Sequence, residues 1–254
     1  MDIISAIVLG IVEGLTEFLP ISSTGHLMIT SKLLGLQDSA FLSSFEIGIQ
    51  SGAIFTVIIY YLRRIFASKD LIWKVAFGFI PTAVLGLLLY DLVKNHLLES
   101  LTLVGWALLI GGIIILLVER FHKPADETRQ IESISYKQSF LLGFYQVFAM
   151  IPGVSRSGAT IMGGLLSGIS RKQIVEFSFL LAIPTILGAT AFDLLKSGVA
   201  FTNEELTAFL VGGIVSAITA WAAIKFFIKF ISNHSFEIFG WYRIVAGALI
   251  LLFL

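Results

Sequence analysis

Nine residues, Pro152-Gly153-Val154-Ser155-Arg156-Ser157-Gly158-Ala159-Thr160, set a guanidinium and three hydroxyls between two apolar runs, 138–151 and 159–169. Neither run reaches the roughly 20 residues that cross a bilayer. Pro152 and Gly153 break the first run, and Ser155 or Ser157 can cap a new helix. The first N–H groups of that helix then point into the gap without partners. An arginine at membrane depth costs about 2.5–3.5 kcal/mol on insertion scales, so Arg156 needs a compensating partner. Positive charge, hydroxyls and a helix N-terminus together suit an anion, phosphate foremost. The plainer alternative is a loop at the membrane surface with Arg156 snorkelling to water.

A second cluster opens the chain. Glu13 and Glu17 are four apart and share one helix face. Two carboxylates so placed repel each other unless one is protonated or a cation lies between them. A divalent ion such as Mg²⁺ or Ca²⁺, taking one or two carboxylates together with substrate phosphates, would resolve the repulsion. An exposed face near the interface is the alternative. After Pro20 come Ser22, Ser23 and Thr24, then His26, three residues beyond Ser23. One helical turn brings a hydroxyl and an imidazole within reach, the arrangement that activates a nucleophile. A helix cap or core histidine fits the same spacing.

The elements that must hold these groups follow from composition. Of 254 residues, 57% are hydrophobic and 13% charged, and the mean hydropathy is +0.94. That excess makes the chain an all-α integral membrane protein. A formal net charge of zero argues against a nucleic-acid partner. The absence of cysteine removes disulfide and thiolate chemistry. The N-terminus lacks the basic region of a signal peptide and is expected to be retained, with no soluble extension at either end. Broken helix pairs are expected over 3–36 and 138–169, each re-entrant. Full spans are expected near 43–62, 72–93, 102–118, 174–195, 206–228 and 239–254. Residues 119–132 are polar. The chain thus reads as a first repeat (1–118), a cytoplasmic linker (119–135) and a second repeat (136–254). Gly10, Glu13 and Gly25 recur as Gly143, Gln146 and Gly158 at a constant offset of 133. Three spans per half turn the halves opposite ways, the inverted repeat that places a polar site at the repeat interface.

Basic residues set the orientation. Arg63, Arg64, Lys69 and Lys74 share one loop; Arg120, Lys123, Arg129 and Lys137 flank the linker. Arg171 and Lys172 follow the second broken pair, and Lys225 and Lys229 precede the last span, whereas the alternate loops hold only Lys32, Lys94 and Lys196. The first group reads as cytoplasmic and both termini as extracytoplasmic. Glu46 and Glu176 take similar places after each broken pair and could line the cavity or the interface. Asp193 and Arg243 are near enough to span ends to reach the interface. His96, His122 and His234 suggest no chemistry.

With both broken pairs in view, the chain resembles the undecaprenyl-pyrophosphate phosphatase family linked to bacitracin resistance. Glu13-Gly-Leu-Thr-Glu17 matches its (E/Q)xxxE motif, and Phe18-Leu-Pro-Ile-Ser-Ser-Thr-Gly-His26 is similar to the family's segment directly after that motif. Pro152 to Thr160 matches PGxSRSxxT at every fixed position. The resemblance implies hydrolysis of the terminal phosphate of a C55 polyprenyl pyrophosphate, a divalent metal, six full spans with two re-entrant pairs, a dimer, and a site open to the outer face of a bacterial plasma membrane. On this reading Glu13 and Glu17 hold the metal, and Glu17, Ser23, His26 and Arg156 are catalytic. Ser22, Thr24, Ser155, Arg156, Ser157 and Thr160 bind the substrate. Ser23, His26 and water stay open as nucleophile. A secondary transporter or flippase for an anionic or lipid-phosphate solute is the rival, since broken helices and midplane charge serve transport too. A purely structural scaffold leaves Arg156 unexplained.

Overall fold

The computed structural model describes residues 1–93, 97, 100–121, 126–198 and 201–253. Lys94, His96, His122 and Lys123 lie outside the described residues, as do parts of the linker and residue 254 of the last expected span. Among the described residues there are ten α-helices and no strand: α1 (Ile3–Thr16), α2 (Ser23–Leu33), α3 (Ala40–Ala67), α4 (Lys69–Leu92), α5 (Leu101–Phe121), α6 (Tyr136–Val147), α7 (Arg156–Leu166), α8 (Arg171–Ser197), α9 (Asn203–Ile231) and α10 (Glu237–Phe253). Short polar side chains start most of them. The Asp2 carboxylate accepts from Ser5 N–H at 2.7 Å, Ser39 caps α3 and Ser68 caps α4. Ser135 with Gln138, Ser170 with Gln173 and Thr202 with Glu205 form reciprocal capping boxes. Each such cap contributes about 1 kcal/mol.

Five helices, α3, α4, α5, α8 and α9, are long and apolar enough to cross a membrane. α10 has 17 residues and α1 has 14. Large apolar side chains such as Leu88, Leu195, Phe66 and Trp73 face outward, far beyond what a water-facing surface carries. The chain is a multi-pass helical membrane protein.

The halves do not sit side by side. α1 packs along α9, and α6 packs along α4. A side-chain carbon on Gly10 would come within 2.5 Å of the Gly212 carbonyl oxygen, and one on Gly143 would collide with that of Gly78. The same close backbone approach is made twice with the halves exchanged. Small residues allow it, as in other membrane helix pairs. α3 also packs on α8 and α5 on α10, so the two broken pairs are held back to back by the long helices. Beneath them lies a core that includes Phe18, Leu142, Ile161, Phe177 and Leu181.

At one end the polar segment is tied down. Arg64 donates to Glu132 at 2.8 Å and Glu176 at 2.6 Å, and Lys74 donates to the Glu132 carbonyl at 2.7 Å. Arg171 pairs with buried Glu119, whose carboxylate also accepts from Phe236 N–H. Glu176 thus pairs with Arg64 beside the linker, while Glu46 accepts from Ser31 at 2.6 Å.

Candidate active site

Both breaks resolve in the same unusual way. Ser22 and Ser155 have φ of 72° and 74°, and among the described residues they are the only non-glycine positions with positive φ. Each is the N-cap of the short helix behind it. Ser22 Oγ accepts from Gly25 N–H at 3.4 Å, and Ser155 Oγ accepts from Gly158 N–H at 3.1 Å. Such a backbone costs about 1–3 kcal/mol per residue and persists where the surroundings enforce it, typically at functional sites. Of the two expected caps for α7, Ser155 serves; Ser157 donates instead to the Phe18 carbonyl at 3.1 Å, tying one break to the other.

The strained turns bring the chemistry together. Arg156, the first residue of α7, donates to Glu17 Oε1 at 2.8 Å and to the Ser178 carbonyl at 2.9 Å. Ser23, the first residue of α2, donates to Glu17 Oε2 at 2.6 Å. One carboxylate from the end of α1 therefore joins a hydroxyl from the first half to a guanidinium from the second. Glu17 and Arg156 side chains are 5% and 11% exposed; at that depth, removing one partner of such a pair typically costs about 3–5 kcal/mol. The Phe18 ring lies 5.9 Å from the Arg156 guanidinium carbon.

These groups line a cavity of about 160 Å³. Glu17, Ser22, Ser23, Thr24, Ser155 and Arg156 form one wall. The other is built from Gln50, Thr82, Gln146 and Thr185. Gln146 is buried, and its amide donates to Thr82 and Thr185 at 2.9 and 3.0 Å. Both threonines follow a proline inside a long helix, Pro81 in α4 and Pro184 in α8. The Ile-Pro-Thr tripeptides at 80–82 and 183–185 are the sequence mark these hydroxyls share, although threonines in spans ordinarily bond their own helix, as Thr185 also does to Leu181. Ser178 carries no spacing signal. Gln146 has one, its register with Glu13.

Four expected residues, Glu13, His26, Ser157 and Thr160, do not line that cavity. Thr160 donates to the Arg156 carbonyl at 2.9 Å and is fully buried, and Ser157 is turned onto Phe18. His26 is held by other partners: Nδ1 lies 2.7 Å from the Ser22 carbonyl oxygen and Nε2 lies 2.6 Å from the Tyr242 hydroxyl. A carbonyl only accepts, so in the neutral ring Nδ1 carries the proton and Nε2 accepts from Tyr242. Ser23 finds Glu17 rather than His26. Asp193 and Arg243 do not reach the interface; each is 1% exposed. Asp193 accepts from Ser44 and Tyr90.

Glu13 and Glu17 are the carboxylates that could hold a divalent cation. Glu13 is completely buried, and neither of its carboxylate oxygens has a hydrogen-bond partner among the described residues. Glu17 stands one turn further on, its N–H bonded to the Glu13 carbonyl at 2.9 Å. Among the described residues no third Asp, Glu, His or Cys completes a cluster. An ion with these ligands would draw the rest of its shell from phosphate and water, as Mg²⁺ commonly does.

A buried arginine, two carboxylates and a hydroxyl bonded to one of them come together where two broken helices meet inside a helical membrane protein. Over residues 6–249 the chain matches the family described as bacitracin resistance protein BacA. It is 49% identical over 255 residues to the undecaprenyl-diphosphatase of Wolinella succinogenes, across 100% of this chain and 99% of the relative. It is 46% identical over 259 residues to that of Campylobacter fetus, across 100% of both chains. With that of Persephonella marina the identity is 48% over 254 residues, across 100% of this chain and 99% of the relative. The chain belongs to the BacA family.

Proposed function

We propose that this protein hydrolyses undecaprenyl pyrophosphate to undecaprenyl phosphate and inorganic phosphate, returning the lipid carrier to cell-wall synthesis. The name of its relatives supplies the substrate. The contact that carries the reading is Ser23 Oγ on Glu17 Oε2 at 2.6 Å, with Arg156 on the other oxygen of the same carboxylate. Phosphoryl transfer depends mainly on charge stabilisation and in-line placement. Arg156 and the N–H groups at the start of α7 clamp the pyrophosphate, and Thr24 and Ser155 contact its oxygens. Ser23 Oγ attacks the terminal phosphorus while Glu17 takes its proton. The bond from that phosphorus to the bridging oxygen breaks, and undecaprenyl phosphate leaves. Water then cleaves the seryl phosphate and releases inorganic phosphate. Glu13 and Glu17 would hold a divalent cation, which when bound neutralises charge on phosphate oxygens. In this assignment His26 braces the first turn of α2 through Ser22 and Tyr242.

The proposed frame is six full crossings and two re-entrant pairs in an inverted repeat, 1–118 and 136–254, joined by a cytoplasmic linker at 119–135. The exchanged Gly10–Gly212 and Gly143–Gly78 contacts support it, as does the basic-residue asymmetry, which puts both termini outside a bacterial inner membrane. Reporter fusions at the two ends are expected to report extracytoplasmic positions, and a cytoplasmic signal from either end refutes the frame. The opening to the outer face and a homodimer rest on the family resemblance.

Purified protein incubated with undecaprenyl pyrophosphate should release phosphate, and Ser23→Ala should abolish it. Lipid left intact by wild-type protein under varied metal conditions would sink the proposal. Movement of lipid phosphate across vesicles without hydrolysis would instead favour the transporter reading.

A further inference from the structure

Arg243 lies in the middle of α10 and is 1% exposed. A guanidinium has five N–H donors, and here each meets a different backbone carbonyl. Nε donates to Leu108 at 3.4 Å, Nη1 to Pro20 at 3.1 Å and Val154 at 2.9 Å, and Nη2 to Ala107 at 3.0 Å and Gly153 at 2.9 Å. Two of those carbonyls belong to α5. The other three belong to the two helix breaks, Pro20 just ahead of strained Ser22, and Gly153 and Val154 just ahead of strained Ser155. Among the described residues Arg243 forms no ion pair. Its neighbour Tyr242 meets His26 at 2.6 Å. Gly111 in α5 leaves the space the guanidinium fills, since a side-chain carbon there would collide with Arg243.

We infer that Arg243 is a positioning residue, a clasp that fixes the two helix breaks relative to each other so that Ser23 and Glu17 from one meet Arg156 from the other. Loop carbonyls in a membrane interior need donors; a single side chain that satisfies both loops also sets the distance between them. No N–H is left over for a ligand, so Arg243 acts through the loops and not on the substrate. Planarity matters: the fork reaches carbonyls in opposite directions, which one ammonium on a flexible stem does not reproduce.

The catalytic consequence rests on the hydrolase reading above, whereas the clasp itself can be read without any reaction. The chain has no cysteine, so Leu19→Cys and Ile151→Cys put one spin label on each break, and the distance distribution between them is measured in lipid. Two variants are compared with wild type. Arg243→Lys keeps the charge and loses the fork. Gly111→Ala keeps Arg243 but pushes its guanidinium off the carbonyls, and carries the test alone should Arg243→Lys not fold. Both are expected to broaden the distribution. Turnover of undecaprenyl pyrophosphate is expected to fall by about 10–100-fold in Arg243→Lys and about threefold to tenfold in Gly111→Ala, the scale set by misplacements near 1 Å. KM is expected to stay within about threefold, because the substrate contacts are untouched. An unchanged distribution, wild-type turnover in the variant that folds, or a loss confined to KM overturns the inference. Absence of hydrolysis by wild-type protein defeats the proposed function instead, and leaves the distance measurement to judge the clasp.

Discussion

The two helix breaks share a backbone and differ in chemistry. Each reverses at a serine with φ near 73°, caps a helix of 11 residues with that serine, and presents the next residue to the cavity. At the common offset of 133, Ser23 corresponds to Arg156, Glu17 to Met150, Glu13 to Gln146 and His26 to Ala159. The first break carries the acids and the hydroxyl; the second carries the cation and amide. The same backbone device occurs twice, and its two occurrences carry complementary chemistry. Neither break alone holds more than half of a phosphoryl-transfer site.

Beyond Ser23, removing the carboxylate that joins the hydroxyl of one break to the guanidinium of the other should do the most damage. Glu17→Gln is expected to lower phosphate release toward the upper part of the 10²–10⁴ range associated with a lost general base, and to raise the metal concentration needed for half-maximal rate. Glu13→Gln should be milder, since the (E/Q)xxxE motif it resembles accepts Gln at that position. Metal titrations of both variants check this, and an unchanged midpoint with retained rate in Glu17→Gln removes the metal role. On the other side of the bridge, Arg156→Lys should fold and lose about 10²–10³ in rate, the usual loss of a preorganised charge stabiliser. Near-normal turnover there would mean that the second break contributes shape rather than charge.

The shared backbone is testable apart from the chemistry. At Ser22 and at Ser155, alanine loses the cap and keeps the strain, whereas glycine relieves the strain and loses little as a cap. The glycine variant should exceed the alanine variant in unfolding free energy by about 1–2 kcal/mol at both positions. A difference at only one of them would show that the two turns are not equivalent. The smallest effect belongs far from either break. The Arg64 guanidinium beside Glu132 holds that carboxyl below its ordinary 4.5. Its folded-state pKa is depressed, so its contribution is present above pH 4.5 and fades as pH falls further. Glu132→Gln should lower the Tm by at most about 2–3 °C at pH 7, because a half-exposed pair contributes little. The difference should shrink as pH falls below 4.5 and vanish only below the depressed folded-state pKa, with turnover at pH 7 unchanged.

Most of the frame is legible in the sequence. Expected spans at 43–62, 174–195 and 206–228 lie inside α3, α8 and α9; α8 and α9 start a polar turn earlier, at the Ser170 and Thr202 caps, and α3 starts at Ala40 behind Ser39. The Pro152 break, the Ser155 cap and the buried role of Arg156 follow from residue types with known costs. The partner of Ser23 does not. Spacing on a helix places it with His26, but Ser23 is the first residue of α2, and its side chain turns back to the end of α1, a choice made by tertiary contact. Arg243 escapes for a related reason. Its nearness to a span end suggests snorkelling, and only the assembled loops reveal five carbonyls waiting inside. The Gly10–Gly212 approach is likewise invisible in a linear pattern.

That approach has a consequence for how the protein is made. α1 leaves the ribosome before α9, the helix it packs on, which follows some 200 residues later. At about 5–20 residues per second, roughly 10–40 s pass during synthesis before the partner helix exists. Throughout that interval α1 and the glutamates at its end lack their groove, and for most of it Arg156 has not yet been made. A helix made early is therefore among the last to settle, and a ribosome halted before α7 leaves Glu17 without Arg156. Closure of the fold around α1 is a late event that waits for α9.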